Sequence, residues 1–450
     1  MSRDNVLEEK IDQIMAEFVS PEGPGIVVLI GRDDQVLVRK SYGLANVEQK
    51  EPLRVDSRFI IASVTKQFVG MCIMILKYRG FLDYDEPIAR FFPDFPAWKD
   101  KVTVRHLLQH TSGIQEYLTA QFWKEVIEQH KSLTQDDLLD RIRSFAELEF
   151  EPGARWRYCN SNYILLGVIV EKASGKSFAQ FTKENIFEPL GMKDTFAGES
   201  GEMPERMATG YEYKSKTEFK RAPYNREVVG WADGNIISTV DDLFVWAQAL
   251  SSAKLLPLEV LSQAFVPWNA LNPGETRYGF GQIIGERRGV REIHHGGATL
   301  GYNALLSRFT DEKLTIIMLS NAAGIGLDKV MGEIVEEMLG NKMLPLVPIS
   351  LPEEYLKEKT GRFYGKPRDG EMALEVRYSP EKRGITATTF YNGKSMESYD
   401  LLPIARDLFL ADKRTDTYVE FIRDYDGAVT GARIKCVGTV MNLPNKALLS

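Results

Sequence analysis

From Phe68 to Leu76 every position except Gly70 carries an apolar side chain. The periodicity and the closing Gly80 predict a helix over 63–79. The apolar run is too short to cross a bilayer. A helix that is apolar on all sides has to be enclosed by protein. The chain must therefore build a domain large enough to surround it. Its 450 residues, 44% apolar and 26% charged, supply the material and suggest two or three domains.

The composition also excludes some functions. A net charge of -7 leaves no basic excess to meet phosphates, so no nucleic-acid partner is expected. The cysteines Cys72, Cys159 and Cys436 form no CxxC pair, so neither a disulfide framework nor a zinc site is indicated. The N-terminal residues lack a basic start followed by an apolar run, so no secretory signal is read there. A soluble cytoplasmic setting with no membrane partner is the expectation.

Periodicity assigns a helix to residues 5–18, then strands at Gly25–Ile30 and Gln35–Ser41 around a turn. Further helices are expected near 103–109, 134–146, 161–174, 178–186 and 240–251. A second hairpin, Tyr302–Phe309 with Leu314–Ser320, precedes a helix at 326–340. If both hairpins join one antiparallel sheet, helices cover its two faces in an α+β fold. Pro345, Pro348 and Pro352 mark 344–352 as a linker. Beyond it, segments such as Ile385–Tyr391 and Tyr418–Asp424 read as strands. The expected domains are 1–343, helical and sheet-containing, and 353–450, a small all-β barrel.

Three short motifs carry candidate chemistry. Ser63 and Lys66 stand three residues apart at the start of the apolar helix and share one face. A desolvated lysine there is a possible base, and the helix N-terminus stabilises negative oxygen. Alone, the pair also reads as a helix-capping serine and an exposed lysine. Next, Tyr158 and Asn160 lie two apart in an extended segment before a helix that starts at Ser161 or Asn162, so they project together. A tyrosine beside an ammonium is a candidate base, whereas the plain alternative is a core tyrosine and a capping asparagine. Third, the paired glycines of His294-His295-Gly296-Gly297-Ala298 suggest that another backbone comes close. His294 reads as structural.

In this order, Ser63-Val64-Thr65-Lys66, Tyr158-Cys159-Asn160 and His295-Gly296-Gly297 resemble the three motifs of serine β-lactamases and penicillin-binding proteins. The Y-x-N form is similar to the class C branch, whose members include esterases and D-aminopeptidases. The resemblance covers roughly residues 5–340 and extends to Leu107–Gly113, Pro189–Met192, Ser238–Leu243 and Tyr278–Gly281. It implies a β-lactamase/transpeptidase-like fold and acyl transfer without metal or cofactor. Ser63 would attack a carbonyl while Lys66 and Tyr158 share the proton work. The backbone N–H groups of Ser63 and Ala298 would hold the oxyanion, and Asn160, His295 and Gly297 would meet the substrate. His110 and Asp242 would hold loops. A short-peptide or small-molecule substrate follows, cleaved by a peptidase or, alternatively, a carboxylesterase. The motif has histidine where many β-lactamases have lysine. Histidine offers a weaker, switchable charge to a substrate carboxylate, so efficient β-lactam hydrolysis is not expected.

Overall fold

A computed structural model describes residues 3–128, 133–198, 204–222, 231–268, 275–366 and 370–445. The chain divides into two compact units. One comprises Met1–Trp268, Tyr278–Ile283 and Glu292–Val330, and the other Asn269–Arg277, Ile284–Arg291 and Met331–Ser450.

In the first unit, α1 (Arg3–Phe18) leads into the hairpin β1 (Ile26–Arg32) and β2 (Gln35–Tyr42). The apolar helix is α2 (Thr65–Tyr78), followed along the chain by α3 (Asn160–Ser174) and α4 (Val240–Ala249). Three strands come late: β3 (Val290–Thr299), β4 (Tyr302–Phe309) and β5 (Leu314–Ser320). Within a six-stranded sheet their order is β3-β4-β5-β1-β2. The first and last hairpins therefore meet as expected, with β1 antiparallel to β5 from Ile26↔Ser320 to Arg32↔Leu314. Every residue of β5 is buried, the mark of a strand covered on both faces. Helix α4 packs on β1 and β5, and α1 packs on β2.

Helix α2 lies in the core. Every residue from Thr65 to Leu76 is buried, and the helix packs against α3. Phe68 stacks on Trp246, with ring centroids 4.2 Å apart. This enclosure explains why the helix carries no polar face.

Three local expectations need correction. Ser63 is not in the α-helix: it sits in a short 3-10 turn, Ala62–Val64, and α2 begins at Thr65. Helix α3 begins at Asn160, not at Ser161 or Asn162, so Asn160 is helical rather than extended. The segment 178–186 is not one helix, because the turn widens to a π-helix at Lys183–Phe187 after Phe178–Thr182. Pro189 then removes a ladder donor, and Gly191 closes the element in the left-handed region at φ 75°.

In the second unit, eight strands follow one another in a sheet from Gly361–Gly365 to Thr439–Pro444, all in antiparallel pairs. A bridge between Phe363 and Asn445 brings the first strand to the last, so the sheet is a nearly closed barrel. Phe363, Leu374, Ile385, Phe409, Phe421 and Leu443 are among the residues that fill it.

Candidate active site

The three motifs converge in the first unit. Lys66 is completely buried, and its ammonium donates to Ser63 Oγ at 3.1 Å, Asn160 Oδ1 at 2.9 Å and the Asp233 carbonyl oxygen at 2.8 Å. An ammonium has three N–H donors, and each has an acceptor here. The Tyr158 ring centroid lies 5.1 Å from Lys66 Nζ, and that of Tyr163 5.5 Å. Both rings offer their negative faces to the cation.

The turn that presents Ser63 is strained. Ala62, just before it, has φ 45°, an uncommon conformation for a residue with a Cβ. Strand β3 passes directly beside the turn. A Cβ built on Gly297 would lie 2.1 Å from the Ile61 carbonyl oxygen and 3.1 Å from the Ser63 nitrogen. Only glycine fits that approach, and it sets Ala298 as the next residue along the strand. A second glycine serves α2: Gly281, at φ 71°, would place a Cβ 2.4 Å from the Lys66 carbonyl oxygen.

Tyr158 belongs to an aromatic cluster. Its ring centroid is 4.4 Å from His110, 6.2 Å from His295 and 6.3 Å from Tyr278. His110 Nδ1 accepts the Cys159 N–H at 3.2 Å, which ties the Tyr158–Asn160 segment to the Leu107–Gly113 loop. Asp242 accepts from the Asp194 N–H and the Thr195 hydroxyl, each at 2.8 Å. Burial raises the Asp242 carboxyl above its ordinary value. Both residues hold loops.

His295 departs from its expected role. It is 2% exposed, Nδ1 donates to the Gly296 carbonyl at 2.7 Å, and Nε2 lies 2.9 Å from the Tyr278 hydroxyl. A carbonyl only accepts, so Nδ1 carries a proton, while the Tyr278 hydroxyl can donate to Nε2 or accept from it. Burial pushes the Tyr278 phenol well above its ordinary range, so it keeps its proton. These internal bonds occupy both ring nitrogens and leave neither aimed at a substrate carboxylate.

Four contributors had no signal in the motifs. Glu116, 6% exposed, accepts the Asn160 backbone N–H at 2.8 Å and Asn160 Nδ2 at 3.1 Å. It thus caps α3, whose N-cap residue Cys159 provides no side-chain bond. Tyr117 donates to Asp233 Oδ2 at 2.8 Å, and Asp233 supplies the carbonyl on Lys66. Tyr278 lies in a Y-G-F-G segment noted only as a family-like stretch, while Glu116 and Asp233 sit in ordinary polar loops.

The beta-lactamase family model matches residues 7–336. Penicillin-binding protein 4* of Bacillus subtilis is 36% identical over 311 residues, 65% of this chain and 67% of that protein. A D-aminopeptidase of Gluconobacter oxydans is 27% identical over 394 residues, 85% of this chain and 72% of that protein. Among solved structures, the octameric penicillin-binding protein homologue from Pyrococcus abyssi superposes with a TM-score of 0.67 at 24% identity, over 98% of this chain and 100% of that one. That last match speaks for the fold, barrel included. No helix among the described residues is long and apolar enough to cross a membrane. With the motif order, the matched span and the architecture in agreement, the chain belongs to the beta-lactamase family of serine hydrolases.

Proposed function

We propose that this chain hydrolyses amide bonds of short peptides containing D-residues through an acyl-enzyme on Ser63. The observation that carries the proposal is the unbroken contact from Ser63 Oγ through Lys66 Nζ to Asn160 Oδ1, with the Tyr158 ring over the ammonium. Relatives named D-aminopeptidase support the substrate class.

In acylation the Ser63 oxygen bonds to the substrate carbonyl carbon, and its proton passes to the Lys66–Tyr158 pair. The two groups share the proton work. The Ser63 and Ala298 N–H groups hold the oxyanion, and Gly297 admits the substrate strand. The substrate amide lies against Asn160. Collapse breaks the C–N bond, and the leaving amine takes the proton. Water then adds to the ester, the C–Oγ bond breaks, and acid and free serine are restored. With both His295 nitrogens internally bonded, β-lactams are expected to be poor substrates. The same reading places the protein in the cytoplasm, with a small substrate and neither nucleic acid nor membrane as partner. Residues 353–450 form its accessory β-domain after the 344–352 linker.

The test is release of p-nitroaniline from D-alanine p-nitroanilide, with intact-mass detection of an adduct on Ser63. Turnover lost in Ser63→Ala, with the melting temperature little changed, supports the proposal. Inert anilides beside fast cleavage of p-nitrophenyl esters would replace it with a carboxylesterase. Failure of fluorophosphonate to label Ser63 in the folded wild type would end the enzymatic reading.

A further inference from the structure

We infer that Glu116 is a positioning residue for the Ser63–Lys66 pair: its buried carboxylate decides which way the Asn160 amide faces, and so supplies Lys66 with an acceptor. The inference rests on the reading of Ser63 as nucleophile.

An asparagine amide is nearly symmetric in shape, and its surroundings select its orientation. On one side of Asn160 stands the Lys66 ammonium, which only donates. On the other stands the Glu116 carboxylate, which only accepts when ionised. One orientation alone satisfies both, with Oδ1 toward Lys66 at 2.9 Å and Nδ2 toward Glu116 at 3.1 Å. Glu116 is itself held from two sides, by the Asn160 N–H on Oε2 at 2.8 Å and the Leu118 N–H on Oε1 at 2.9 Å. Its place at the start of α3 favours the anion.

The charges around Lys66 point the same way. The aromatic rings of Tyr158 and Tyr163 face it. Asp233 offers Lys66 only its backbone carbonyl, because its carboxylate is turned to the Tyr117 hydroxyl and the Trp231 N–H. Glu116 is thus the carboxylate joined to the ammonium through a single amide, and its neighbour Tyr117 secures the Asp233 acceptor. Two consecutive residues hold both acceptors that Lys66 finds outside its own turn.

Glu116→Gln tests this. Glutamine keeps the shape but turns one acceptor oxygen into a donor. Its single oxygen cannot serve both the two Asn160 donors and the Leu118 N–H, so one of these bonds is lost and the hold that keeps Oδ1 on Lys66 loosens. The second-order rate of fluorophosphonate labelling at Ser63 and kcat for D-alanine p-nitroanilide should both fall, by about 100-fold, as for a misplacement of about 1 Å. KM should change little. Glu116→Asp keeps the charge but withdraws the carboxylate by one methylene. Its labelling rate and kcat should fall with KM little changed, and this decides the question if the Gln variant does not fold. Wild-type labelling and kcat in Glu116→Gln would reduce Glu116 to a helix cap. A higher KM confined to substrates with a free α-amine, at unchanged labelling, would overturn the inference in favour of direct contact with the substrate ammonium. Absence of wild-type labelling would instead refute the Ser63 reading beneath it.

Discussion

The adjacent glycines of β3 should respond in opposite ways to one methyl group. A Cβ on Gly297 would stand 2.1 Å from the Ile61 carbonyl oxygen, whereas real Cβ contacts essentially never fall below 3.0 Å. The strand or the turn must therefore separate by at least the difference, 3.0 minus 2.1, or about 0.9 Å. Both obstructing groups are backbone, and the Ser63 nitrogen is one of the proposed oxyanion donors, so no side chain can move aside to absorb the strain. Misplacement by about 1 Å costs roughly 100-fold in rate. Gly297→Ala should lower kcat/KM for D-alanine p-nitroanilide by about that factor. Overpacking of this kind also costs about 1–3 kcal/mol of stability in urea titrations. At Gly296 the nearest atoms to an added Cβ are 3.8 Å away, so Gly296→Ala should leave both quantities near wild type. Wild-type kcat/KM in a stably folded Gly297→Ala would refute the claim that β3 and the Ser63 turn together form the oxyanion site.

Tyr158→Phe removes the hydroxyl and leaves the ring in its aromatic cluster, so kcat should fall by about 10²–10⁴-fold with thermal stability retained; undiminished turnover would leave the proton work to Lys66 alone. Asp56 bonds to Arg54 and Arg206, and these guanidiniums, the first above all, hold its carboxyl at about 2 against an ordinary 3.8 despite opposing burial. A folded value below the unfolded one adds stability that is present above pH ~4 and drains away as pH falls toward ~2. Wild type and Asp56→Asn should therefore differ in melting temperature near neutral pH and converge in acid, and a gap that persists at pH 2 would refute this. Burial pushes the Cys159 thiol up to about 12 and raises Cys72 as well. A thiol reagent at pH 8 should leave both unmodified until the chain unfolds; rapid modification of Cys159 in the native protein would show that the Tyr158–Asn160 segment opens.

The scaffold was legible where a pattern is local. An all-apolar helix demands enclosure, and α2 is enclosed. Both hairpins carry their own turns: the structure reproduces Tyr302–Phe309 with Leu314–Ser320, extends Gln35–Ser41 by one residue, and shifts Gly25–Ile30 to Ile26–Arg32. Errors fall where a tertiary contact overrules local preference. The sequence pattern places Ser63 in a helix, but close approach of β3 fits a tighter turn with Ala62 at positive φ. Helix α3 starts one residue early because its first N–H finds an acceptor in Glu116, which lies 44 residues away and so falls outside any capping pattern in the neighbouring sequence.

The site follows the same division. Ser63, Lys66, Tyr158 and Asn160 could be named because the short motifs that carry them resemble, in the same order, those of serine β-lactamases and penicillin-binding proteins. Their supports could not, because what qualifies a support is a distance and not a residue type. Asp233 contributes to Lys66 through a backbone carbonyl, which any amino acid possesses. His295 shows the converse. Its imidazole was visible in the sequence, and a role was read from its charge. That role depends on a free nitrogen, and Tyr278 and the Gly296 carbonyl take both. The identity of the third motif's first residue therefore matters less for what it offers the substrate than for what it demands from its neighbours. A lysine there would meet the same two buried partners, the Gly296 carbonyl and the Tyr278 hydroxyl, both of which can accept from it. Replacing His295 by lysine alone should therefore not create a carboxylate-binding site, because these partners would hold its ammonium in the buried position that His295 fills.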